Sequence, residues 1–235
     1  MVILINLSSI LISIIYIYMR FENIVISDSI IGFKDRILAT YPNLKYGYVD
    51  NKPMIFFGIY RNKDLERIKK HNSYCLIIWG GSDSLQSYRL RSQQHKLFTT
   101  KKNVFHIAQS IWIANDLKNY KYIFKQLPWY SLKKNIFKPC IKGKSIYIYK
   151  SNEVFYGKII YDKIKKLLKN KYKIIDGIAP WLPHEKMPIL YSKCFIGLRL
   201  VPHDGLGSTV QELGLMGIKC VHNGNSPSSL NYKNI

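Results

Sequence analysis

Between Cys194 and Gly224 the chain changes its hydrophobic period twice, and few folds accommodate that. The apolar run Cys194 to Leu200 has the length of a buried strand. Pro202 to Gly207 is rich in turn formers and predicts a loop. From Ser208 onward Val210, Leu213 and Met216 recur at helical spacing until Gly217 stops the helix. Lys219 to His222 then predicts another short strand. Parallel strands need a helical crossover, so strand–loop–helix–strand places this stretch in a parallel α/β sheet.

The loop carries Asp204, and Glu212 follows eight positions later within the helix. Gly205 and Gly207 let the backbone approach a ligand closely. The amides around Ser208 and Thr209 sit at a helix N-terminus, where free N–H groups and the helix dipole attract phosphate. A carboxylate at Glu212 accepts hydrogen bonds from paired sugar hydroxyls. A nucleoside diphosphate satisfies both features. The competing reading is an ordinary capped helix with a surface acid.

The stretch resembles the donor-binding motif of GT-B glycosyltransferases, especially the retaining enzymes that use nucleotide sugars. Those carry an acid, a glycine-rich loop, a glutamate eight positions after the acid, and a Gly-x-Pro-Val-type strand. Here the acid is Asp204 instead of the usual Glu, and Gly217-Ile218-Lys219-Cys220-Val221 lacks the proline. The resemblance implies two Rossmann-like α/β halves facing a cleft, with no metal and no cofactor beyond the nucleotide-diphosphate sugar. It implies that Glu212 holds the ribose, Ser208 and Thr209 the diphosphate, and Asp204 the transferred sugar. Arg199, at the end of the preceding strand, would offset charge on the departing diphosphate. His203 would bond the sugar or fill the turn. Lys150 and Ser151 end the first strand of the second half, where a phosphate contact is expected. Trp181 would stack on the base or pack in the core.

Lys and Arg number 36 against 14 Asp and Glu, a net charge of +22 that attracts nucleic acid, anionic membrane or phosphorylated substrates. The lysines, however, are scattered beside Ile, Asn and Tyr through nearly every segment, as a codon bias toward A and T would leave them. Cys75, Cys140, Cys194 and Cys220 form no Cys-x-x-Cys pair, which suits buried thiols of a reducing compartment better than disulfides or a zinc site.

Val2 to Met19 is almost wholly apolar and is closed by Arg20, barely enough to span a bilayer. It reads as an N-terminal membrane anchor or as a buried element of the first domain. As an anchor it would leave the basic body cytoplasmic. Helical spacing follows over Asp28–Thr40, a strand over Pro53–Tyr60, and a helix over Asn62–His71. Tyr74–Trp79 is the clearest buried strand of this half, and it runs into Gly80-Gly81-Ser82-Asp83. Loops at strand C-termini bind ligands in open α/β sheets, so Gly81, Ser82 and Asp83 are acceptor-side candidates; Asp83 otherwise caps the following helix. The Trp79-Gly-Gly-Ser-Asp run is also similar to an N-domain loop of some GT-B enzymes that faces the cleft.

Val104–Ala108 predicts a strand and Ser110 caps a helix to Tyr120. A basic, poorly periodic connection around Pro128-Trp129-Tyr130 and Pro139-Cys140 marks a boundary near residue 135. The expected division is a hydrophobic segment 1–20, an acceptor-side domain 21–135 and a nucleotide-sugar-binding domain 136–235. In the second half we expect a strand over Ser145–Lys150, a helix over Tyr156–Asn170, a strand at Lys173–Ile175 and a short helix over His184–Ser192.

Gly205-Leu206-Gly207 lies too late for a dinucleotide fingerprint, and Gly143-Lys144-Ser145 precedes a strand and lacks the first P-loop glycine. The histidines show no metal-ligand spacing. The expectation is therefore a metal-independent glycosyltransferase acting on a glycan, lipid or protein acceptor. The other expectations are a basic, non-catalytic module for nucleic acid or anionic membrane, and a truncated, inactive remnant that still binds nucleotide sugar. The last follows because GT-B enzymes continue through further helices beyond the point matching Ile235.

Overall fold

The computed structural model describes residues 21–85, 87–127, 135–149, 157–168, 170–177, 182–201, 203–205, 207–222 and 229–231. The expected anchor over 1–20 lies outside them, as do Lys150, Ser151 and Trp181. Among the described residues no helix is long and apolar enough to cross a membrane. The chain divides into two compact units, Met1–Trp129 and Tyr130–Ile235.

The first unit holds six parallel strands: β1 (Asn23–Ile26), β2 (Lys45–Tyr46), β3 (Met54–Phe57), β4 (Cys75–Ile78), β5 (Val104–Ala108) and β6 (Phe124–Gln126). Their order is β2-β1-β3-β4-β5-β6. The helices α1 (Lys34–Thr40), α2 (Asn62–Lys70), α3 (Arg91–Thr100) and α4 (Ile111–Asn119) connect them. Both faces of this sheet are covered, which is why its strands read as unbroken apolar runs. Val25, Met54, Phe56, Cys75 and Ile77 pack with Leu65, Ile68, Phe98, Ile113 and Leu117 on one side. Ile24, Ile26, Ile55, Phe57, Leu76 and Ile78 pack with Ile37 on the other. Each such side chain contributes roughly 1.5–3 kcal/mol by leaving water.

The second unit holds β7 (Ser145–Ile148), β8 (Ile174–Asp176), β9 (Cys194–Arg199), β10 (Lys219–His222) and β11 (Ser229–Asn231), all parallel. Their order is β11-β10-β9-β7-β8. Its helices are α5 (Lys158–Leu168), α6 (Met187–Tyr191) and α7 (Ser208–Leu215). Tyr161 of α5 joins Ile146, Ile148 and Leu198 on one face, while Tyr191, Val210 and Leu213 cover Tyr147 and Cys220 on the other. Each unit is thus a parallel α/β layer of the Rossmann-like kind. Counted from its own first strand, each sheet runs 2-1-3-4-5, with a sixth strand in the first unit. The wound direction reverses between the first and third strands, so the crevice at that switch lies at β1/β3 in one unit and β7/β9 in the other.

Several elements depart from expectation. Asp28–Phe33 is 3-10 and kinks at Ile30 before α1 starts, leaving only Ile37 of the expected apolar face buried. In α5 the expected inward residues Ile159 and Leu167 are 55% and 75% exposed, and Tyr161 is the buried anchor. Residues His184–Lys186 form a 3-10 turn ahead of α6. The helix expected directly after Asp83 begins at Arg91, with Leu90 at its N-cap, so Asp83 does not cap it.

Candidate functional site

The Cys194–His222 unit forms as its periodicity predicts, and close packing sets its geometry. A Cβ on Gly197 of β9 would meet the end of the Leu213 side chain, so glycine there gives α7 room to settle on the sheet with Leu213 in place. With Val210 and Leu213 turned into the core, Thr209 and Glu212 occupy a neighbouring stripe of the helix. Strand register aligns the strand ends: His222 of β10 pairs with Arg199 of β9. Paired residues of parallel strands project to the same face, so both reach the loop that carries Asp204.

Asp204 receives two hydrogen bonds from Arg199, Nε to Oδ2 at 2.5 Å and Nη2 to Oδ1 at 3.0 Å. His222 Nε2 lies 3.4 Å from Asp204 Oδ2. Arg199 Nη1 donates to the Thr209 hydroxyl at 3.5 Å, and its guanidinium carbon sits 3.9 Å over the Tyr149 ring, just past β7. Burial pushes the Asp204 carboxyl upward, but Arg199 and His222 outweigh it and hold the group well below the usual carboxylate range. Burial pulls against the Arg199 charge too, and Asp204 overrides it, raising the guanidinium further above its ordinary value. A Cβ on Gly207 would fall 2.7 Å from Asp204 Oδ2 and 2.9 Å from Arg199 Nε. Its φ of −57° is open to any residue, so the ion pair, not the backbone, excludes a side chain.

Glu212 is also buried and hydrogen-bonded. Tyr191 donates to Oε2 at 2.9 Å, and His184 Nε2 approaches Oε1 at 2.8 Å. Burial and the adjacent Glu212 carboxylate push the Tyr191 phenol well above its ordinary value, keeping it a donor. Phe137 packs edge-on to the His184 ring, centroids 5.0 Å apart. Gly205 is buried in the loop and His203 is half-buried beside it. The first intrahelical bond of α7 runs from the Val210 amide to the Gly207 carbonyl, so the Ser208 and Thr209 amides precede the ladder.

The structure therefore gathers Arg199, Asp204, Thr209 and Gly207 at one point and sets Glu212 in a neighbouring cluster. It adds His222, Tyr149, His184 and Tyr191, which motif reading missed. Two of these were legible: His222 and Tyr149 stand at the C-terminal ends of strands flanking the motif strand. His184 and Tyr191 come from a turn and a short helix whose packing no local pattern announces.

In the first unit Asp83 is fully buried. It accepts from the amides of Ile59 (2.8 Å), Gly81 (2.8 Å) and Gly80 (3.3 Å). Burial pushes its carboxyl upward while those amides pull it back. Gly81 adopts φ +144°, a conformation that favours glycine. The carboxylate thus holds the Gly80–Ser82 loop against the loop after β3. Among the described residues no group of three His, Cys, Asp or Glu could hold a metal ion.

No family model matches the chain, and no curated protein matches it.

Proposed function

We propose that the chain is a sugar-transferring enzyme whose nucleotide-sugar donor binds the second unit. One observation carries the reading: the β7/β9 switch gathers Arg199, Asp204, Thr209 and the leading amides of α7 around one loop. That is where open parallel sheets bind ligands, and the groups suit a diphosphate. In this reading Arg199 and the Ser208 and Thr209 amides bind the diphosphate and stabilise its charge as it leaves. Asp204 restrains Arg199 until the donor's hydroxyls engage the carboxylate. Glu212 exchanges His184 for the ribose hydroxyls, while Tyr191 keeps the second oxygen in place. Two parallel α/β units in one chain are consistent with the GT-B plan.

A second reading has its own support. Glu212 is buried, the Asp204 carboxylate is largely shielded, and both are already hydrogen-bonded within the unit, as expected of a core carboxylate and a structural ion pair. Titrating the full chain with a panel of nucleotide sugars separates the two. Saturable binding of one donor, abolished in Glu212→Ala and retained in a surface control, supports the enzyme reading. A folded chain that binds no donor overturns it and leaves the structural one.

A further inference from the structure

The first unit has its own crevice at the β1/β3 switch, and different chemistry fills it. A cleft of about 660 Å³ is lined by Ser29, Arg61, Asn62, Lys63, Arg89 and Gln93, together with Leu90. Ser29 comes from the turn after β1, Arg61 to Lys63 from the β3–α2 junction, and Arg89 to Gln93 from the segment entering α3. Two of these connections thus bring three cations to one opening, and the third brings a hydroxyl. The volume lies within the range of small-molecule sites.

The charges are arranged for a ligand more than for each other. Lys63 pairs with Asp28, whose Oδ2 also lies 3.7 Å from Arg61 Nη1. Arg61 Nε donates to Ser29 Oγ at 3.2 Å, and Arg89 Nη2 to the Tyr60 carbonyl at 3.4 Å. Asp28 therefore balances at most one of Lys63 and Arg61, and Arg89 is held by a carbonyl instead of an acid. Asp64, the other nearby acid, is turned inward, accepting from Ser27 Oγ at 2.6 Å and from the Tyr60 and Arg61 amides at 3.0 and 2.9 Å. Those bonds cap the start of α2, so the attraction for an anion in this cleft comes from the side chains. Two anchored guanidiniums with donors to spare match phosphate oxygens in a way an ammonium alone does not. Ser29, Asn62 and Gln93 add neutral donors and acceptors suited to hydroxyls.

We infer that this cleft binds the phosphate monoester of a hydroxyl-bearing ligand, through Arg61, Lys63 and Arg89. The surplus of cations matches a phosphate dianion, and the volume exceeds a bare phosphate enough to admit a sugar or glycerol moiety. The inference concerns the first unit alone and stands whether or not the second binds a nucleotide sugar. A soluble sugar phosphate and a lipid headgroup present the same chemistry.

The test uses the full chain at fixed ionic strength, because a chain of charge +22 attracts any anion weakly. One arm titrates glucose phosphate and glycerol phosphate by calorimetry; the other sediments phosphatidylcholine vesicles with and without phosphatidic acid. Each is repeated with Arg61→Gln/Arg89→Gln, with Lys63→Gln, and with the control Lys69→Gln/Lys70→Gln at the far end of the same helix. All these side chains are exposed, and circular dichroism checks that each variant folds. The expected result is a loss of about tenfold or more in the arginine pair, a smaller loss in Lys63→Gln, and none in the control. That pattern with the soluble esters assigns a small-molecule ligand; the same pattern confined to vesicles assigns a lipid phosphate. No binding in either arm, or equal losses in the control, overturns the proposal.

Discussion

Replacing Asp204 by Asn keeps the shape of the side chain and removes the charge that balances Arg199. The guanidinium is then left buried beside Thr209 and the Tyr149 ring, without an anion. Breaking one side of a buried ion pair costs about 3–5 kcal/mol, a large part of the roughly 5–15 kcal/mol that holds a domain together. A melt of the whole chain would mix the two units, so the assay is hydrogen exchange of β9 and β10 amides. With tenfold per 1.4 kcal/mol, globally exchanging amides should exchange roughly 100-fold faster or more. Replacing both partners, Arg199→Met with Asp204→Leu, should restore most of the loss, because the desolvation of two charges disappears with them. The pH dependence follows from the depressed carboxyl. Its stabilisation is complete above the unfolded value of about 3.9 and is lost as pH falls below it toward the folded value. Asp204→Asn should lack that part of the acid slope. A change in exchange below about threefold, or a double variant as unstable as the single, would refute the reasoning.

Gly207→Ala should cost about 1–3 kcal/mol, read from hydrogen exchange of the β9 and β10 amides, because its Cβ enters the space of the Arg199–Asp204 pair without any backbone penalty. His106 is buried beside Trp79 Nε1, and burial, then Arg91, bring its pKa down to about 3. The unfolded chain therefore binds the extra proton between pH about 6.5 and 3, so this group makes stability fall on acidification. Its imidazole carbon shifts should stay flat by NMR from neutral pH to about 4. Burial pushes the Cys75 thiol up to about 12, so under native alkylation at mildly alkaline pH Cys140, which is half-buried, should react first and Cys75 only on unfolding.

Most strands with uninterrupted apolar runs were legible, and β3, β4, β5, β7, β9 and β10 all lie within or at the predicted spans, whereas the buried β1 was not predicted. Of the edge strands, β8 was expected at Lys173–Ile175, but β2, β6 and β11 were not. β2 is two exposed residues, and β6 exposes Lys125 and Gln126, so neither carries an apolar run. A helix after Asp83 was expected, but the bounds of α3 escaped notice for a different reason. Two of its core positions are Arg91 and Gln94, which no hydrophobic period reveals. They are tolerated because Arg91 bonds Gln94 Oε1 and lies over the Tyr120 ring, while Gln94 donates to the Ile59 and Asp83 carbonyls. At the site, the loop acid and the helix glutamate were visible as a spacing. Their partners were not, since the Arg199–Asp204 pairing depends on how a glycine loop turns, and Glu212 meets residues 21 and 28 positions away.

Every strand pairing described in both sheets is parallel, and this governs how the site comes into being. Hairpins, the fast local nuclei of β-structure, have no place in such a pairing scheme, so each ladder waits for a crossover to close. Arg199 and Asp204 lie five positions apart, so their pairing closes only a short loop. The Tyr149 ring joins them only when β7 and β9 zip together with all of β8 between them in the chain. The aromatic contact on Arg199 is therefore a timestamp of completed assembly. A ligand that reads the finished constellation binds only chains in which the β7–β9 ladder has closed.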